Sequence, residues 1–241
     1  LLPTAALAEG EGATAAKGTS ENPYTREEFA AMTRQQYIEA QNALNGTMYV
    51  KLDVYTYDKD GVLGNGTADN SDRDSTKLNY YGAPGAKSGQ YSDAAVGKNI
   101  VFVGSSITSK VTGYESIDNI GTSLLLAVPA YTNVTFKDIT FNGVMSFDYQ
   151  LYTSPWSQLG ELKFEGCTFD GIIVGSIAAQ TLTFNGCTFE NYTNEKSANN
   201  SNPTWIRPAY GNWSKGDNEG QGDDFRSLTE INFTGNTVTS T

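Results

Sequence analysis

The clearest order in the chain is one alternation of apolar and polar positions that occurs four times. Val134-x-Phe136-x-Asp138-Ile139-Thr140-Phe141 aligns with Leu162-x-Phe164-x-Gly166-Cys167-Thr168-Phe169. The same form returns as Leu182-x-Phe184-x-Gly186-Cys187-Thr188-Phe189 and as Ile231-x-Phe233-x-Gly235-Asn236-Thr237-Val238. Alternation is strand periodicity, and repetition of a whole motif implies repeated supersecondary units. Further strands are expected at Met48–Val54, where Met48, Val50, Leu52 and Val54 alternate with polar residues and tyrosines, at Asn99–Gly104, and at Ser123–Val128 before Pro129.

The spacing says what kind of unit repeats. Leu162 to Leu182 is 20 residues, the length of a bare solenoid turn, and Val134 to Leu162 is 28. Leu182 to Ile231 is 49, which is either one turn with a large insertion or two turns. Fixed strand motifs with variable spacing suit stacked parallel strands whose connections bulge outward. Stacking places like on like. Phe136, Phe164, Phe184 and Phe233 are expected to form one aromatic ladder, and Phe141, Phe169 and Phe189 a second that Val238 continues. Cys167 and Cys187 then fall one turn apart, either as buried thiols or, with α-carbons near 5 Å, within disulfide range.

Ahead of the repeats the period changes. Thr25-x-x-Glu28 and Thr33-x-x-Gln36 have capping-box form, and the second opens a helix over Arg34–Leu44 that Asn45-Gly46 ends. Residues 9–22 are small and polar, so residues 1–22 are expected to be a signal-peptide remnant and a disordered linker. Ala6-Leu7-Ala8 has the form of a cleavage site. That reading makes the protein exported: extracellular, secreted or at the cell surface.

A short helix running into Gly46-Thr47-Met48-Tyr49-Val50 resembles the opening of pectate-lyase-like proteins. The resemblance covers about Tyr37–Thr241. It implies an all-β fold, a right-handed parallel β-helix with a short N-terminal capping helical segment. On this reading residues 23–241 are one β-helix domain, with a cap at 23–45 and an insertion at 193–227. Within that superfamily the chain looks more like bacterial adhesin-like surface proteins than like the enzymes. The last motif has no covering element, so the native protein is expected to continue beyond Thr241 into further domains.

Composition narrows the chemistry. There is no histidine among the 241 residues, which removes Ser-His-Asp and Cys-His catalysis and His-ligated zinc. Net charge is −11 without a Lys/Arg cluster, so nucleic acid is not an expected partner, and no run is apolar and long enough to be a transmembrane segment. Asp58, Asp60, Asp69, Asp72 and Asp74 sit in a polar stretch that begins like a Ca²⁺ loop but lacks the full spacing. No cofactor is therefore expected, with Ca²⁺ the one ion worth testing. Asn-x-Ser/Thr occurs at Asn45, Asn65, Asn133, Asn191, Asn199, Asn212 and Asn232.

The insertion carries the candidate site. Trp205, Arg207, Tyr210 and Trp213 precede Asp223 and Asp224, and Trp156 lies in an earlier turn. An aromatic ring covers the apolar face of a sugar while Arg and carboxylates bond its hydroxyls. The first expectation is a non-enzymatic module binding glycan or a surface protein. The alternatives are a polysaccharide lyase or glycoside hydrolase using paired carboxylates, and a structural stalk.

Overall fold

The computed structural model describes residues 15–56, 63–64, 98–113, 126–127, 132–143, 159–171, 179–191 and 230–239. Among the described residues two helices, α1 (Arg26–Ala31) and α2 (Arg34–Ala43), precede fourteen strands. Both helices begin as their sequences demand. Thr25 and Thr33 accept from the amides of Glu28 and Gln36, whose side chains reach back to the cap amides.

Every strand pairing is parallel. The first six-stranded sheet is β1 (Thr47–Lys51), β4 (Asn99–Val103), β7 (Asn133–Lys137), β9 (Leu159–Glu165), β11 (Ala179–Asn185) and β13 (Glu230–Thr234). The second is β2 (Val54–Thr56), β5 (Lys110–Thr112), β8 (Thr140–Asn142), β10 (Thr168–Asp170), β12 (Thr188–Glu190) and β14 (Thr237–Val238). A two-stranded sheet joins β3 (Leu63–Gly64) to β6 (Leu126–Ala127). The chain visits the sheets in the same order on each pass, which makes the fold all-β and solenoid-like.

The eight-residue motif is therefore not one strand. Its first half lies in one sheet and its last two residues in the other, with a two-residue corner between. The corner's first residue is in the left-handed region each time: Asp138 at φ 55°, Gly166 at 59°, Gly186 at 63° and Gly235 at 64°. That requirement explains the recurrent Gly, with Asp the tolerated substitute. A two-residue corner at the equivalent place, without the left-handed residue, breaks the alternation expected over Met48–Val54. Leu52-Asp53 turns the chain, the phase shifts by one, and Tyr55 is buried while Val54 is 63% exposed.

The inward columns form the core. Phe102, Phe136, Phe164 and Phe184 stack with centroids 5.0–5.6 Å apart and planes within 16°. Phe141, Phe169 and Phe189 form a second stack at 4.9–5.2 Å. The stacks meet edge to face, as Phe164 does with Phe169 at 5.1 Å and 76°. Offset stacking along each column and T-shaped contact across it are the two favoured aromatic geometries, each worth about 1 kcal/mol beyond buried area. Phe233 departs from its expected place in the ladder. It tilts 57° from Phe184 and 31° from Phe189, touches both, and is 49% exposed. Its ring leans across the two stacks.

The other end is covered. Residues 15–22, expected as the end of a linker, turn onto β1: Tyr49 N donates to Gly18 O at 2.8 Å, and Tyr24 bridges Val50. Phe29 of α1 meets Phe102 edge-on, and Tyr37 and Gln41 of α2 are buried, the Gln41 amide donating to the Tyr37 hydroxyl and the Asn99 carbonyl. Burial pushes the Tyr37 phenol up to about 12, against the opposing effect of the hydrogen bond from Gln41.

Two outcomes follow for stability. Phe164→Ala, in the middle of both contact sets, is expected to cost about 3–5 kcal/mol, and Phe233→Ala under about 1.5, in urea unfolding. Equal losses would contradict the stacking account. The raised Tyr37 pKa stabilises the fold fully below pH 10 and loses that contribution as pH rises through 12. Tyr37→Phe should therefore remove about 3 kcal/mol of the alkaline loss of stability between those values, read from unfolding curves at each pH.

Candidate functional site

Two kinds of connection join the sheets, on opposite terms. From the first sheet to the second the chain uses Leu52-Asp53, Gly104–Ser109, Asp138-Ile139, Gly166-Cys167, Gly186-Cys187 and Gly235-Asn236. Two of these corners crowd Asp138: a Cβ on Gly104 would lie 2.2 Å from its carbonyl oxygen, and one on Gly166 2.6 Å from its carboxylate. Apart from the six-residue corner Gly104–Ser109, the corners have two residues, and the large variation in length falls on the return. Residues 57–98, 113–132, 143–158, 171–178 and 191–229 each leave the second sheet and re-enter the first.

The last of these resolves the alternative left by the 49-residue interval. β11 pairs directly with β13, Leu182 beside Ile231 and Phe184 beside Phe233. The interval is thus one turn with a large insertion. Trp205, Arg207, Tyr210, Trp213, Asp223 and Asp224 all belong to that single connection, and Trp156 to the connection between β8 and β9. These seven residues lie outside the described ones, as do Asp58, Asp60, Asp69, Asp72 and Asp74.

What is described is the frame the insertion leaves and rejoins. It departs at Asn191, exposed at φ 54°, whose side-chain amide donates to Asp170 Oδ1 at 2.7 Å. Asn142 donates to the other oxygen of Asp170 at 3.2 Å. The chain returns at Glu230, which accepts from Asn232 at 3.0 Å. Nearby, Thr183 donates to Glu161 at 2.7 Å, and Lys163 pairs with Glu165 at 2.6 Å, a hydrogen bond that raises the lysine pKa. Carboxylates border both the exit and the return, held by amides, a hydroxyl and one lysine. Among the described residues no three His, Cys, Asp or Glu side chains are grouped to hold a metal ion. No described helix is long and apolar enough to cross a membrane.

Sequence reasoning missed some of the polar side chains that support this frame. Asn99 donates to Gly46 O at 3.2 Å, Asn133 donates to Asn99 Oδ1 at 3.2 Å, and Asn133 Oδ1 accepts from the Glu161 amide at 3.0 Å. The signal was present, since Asn99 and Asn133 each precede an apolar-x-Phe stretch. Asn133 is an Asn-x-Thr asparagine, and in the fold its side-chain amide is committed to the ladder.

Cys167 and Cys187 are free, buried thiols. Each donates to a carbonyl of the preceding turn, Phe136 O at 3.3 Å and Phe164 O at 3.4 Å. Burial raises the Cys167 pKa, which disfavours the reactive thiolate. Contact with Cys167 lowers the Cys187 pKa against the effect of burial, but at 1% exposure neither thiol is open to a reagent.

No family model, curated protein or solved structure matches this chain. The two parallel sheets are compatible with a β-helix.

The thiol geometry has a direct test. With an aromatic disulfide reagent, the native protein prepared without reductant is expected to give no rapid reaction and two thiols after unfolding. Fast native labelling, or a mass two units low, would show the pair to be accessible or oxidised.

Proposed function

We propose that this chain is a right-handed parallel β-helix acting outside the cell, at the surface or secreted, as a binding module of adhesin-like type. Its contact with glycan or a surface protein is made by the insertion at 193–227, chiefly through Trp205, Arg207, Tyr210, Trp213, Asp223 and Asp224, with Trp156 as a neighbour.

The observation that carries this reading is the direct pairing of β11 with β13 across the insertion. The stack closes its register beneath the excursion, so core packing does not explain why the chain spends those residues there. The segment holds two of the three Trp of the protein, beside Arg and carboxylates. That composition suits a sugar, whose apolar face and hydroxyls need both kinds of group. The carboxylates of Asp170 and Glu230 at the frame disfavour a polyanionic ligand and favour a neutral one. Binding is preferred to catalysis because a chain without histidine lacks the usual general base near neutrality. Asp170 and Glu165 are also already engaged by amides and Lys163.

The test is retention on a glycan array and on intact cells, comparing wild type with a Trp205→Ala/Trp213→Ala variant. The variant is expected to bind at least about tenfold more weakly, with unchanged circular dichroism, since loss of an aromatic anchor typically costs 2 kcal/mol or more. No retention of the wild type, or equal retention of both proteins, would overturn the proposal. Turnover of a polysaccharide by the wild type, abolished by Asp223→Asn/Asp224→Asn, would establish the enzymatic alternative instead.

A further inference from the structure

We draw no further inference here: the strongest candidate, the end of the stack where Ile231 and Phe233 of β13 and Val238 of β14 stand about half exposed, is an unpartnered apolar face, and nothing in the structure shows what covers it.

Discussion

Everything described in this protein depends on in-register stacking of parallel strands. Neighbouring strands lie about 4.8 Å apart, so a residue sits directly on its counterpart one turn away. Flat rings suit that spacing, and the observed centroid separations of 4.9–5.6 Å along the two phenylalanine columns are close to it. Register errors are costly because a one-residue slip would send every inward ring to the outside. The corners enforce the register. In the last four the chain turns within two residues, and the recurrent left-handed residue does so at the same position on successive turns.

This constraint also divides the molecule into a conservative side and a permissive one. The short corners pack on each other closely enough that a methyl group at Gly104 has no room. The return connections vary from 8 residues at 171–178 to 42 at 57–98 without disturbing the pairing of successive strands in the first sheet. The longest excursions of this chain all lie on the return side. The proposed function is consistent with that division, because the aromatic and charged candidates belong to return connections.

The ends of the stack differ for the same reason. A terminal turn has strand edges and inward side chains without a neighbour, and both are liabilities. At the N-terminal end residues 15–24 and the two capped helices supply the missing partners, with Phe29, Met32 and Tyr37 buried. In the last described turn the inward positions are filled differently. Phe233 leans over both stacks, and Asn236 takes the place of Cys, accepting from the Cys187 amide at 2.7 Å and donating to the Phe184 carbonyl at 3.0 Å.

Much of this architecture was legible in the residues themselves. Side-chain period and motif recurrence are local properties, so the strands, the like-on-like columns and both helix caps could be read from the chain alone. The corner inside the motif could not, because a two-residue change of direction leaves the apolar count almost unchanged. The phase shift at Leu52-Asp53 shows this, as does Phe102, whose turn was hidden by the longer corner at Gly104–Ser109. The candidate site was legible only as composition. Whether 49 residues held one turn or two was a question of which strands pair, and pairing is a long-range choice. Only the tertiary structure decided it, by setting Phe233 against Phe184 and leaving the insertion outside the register.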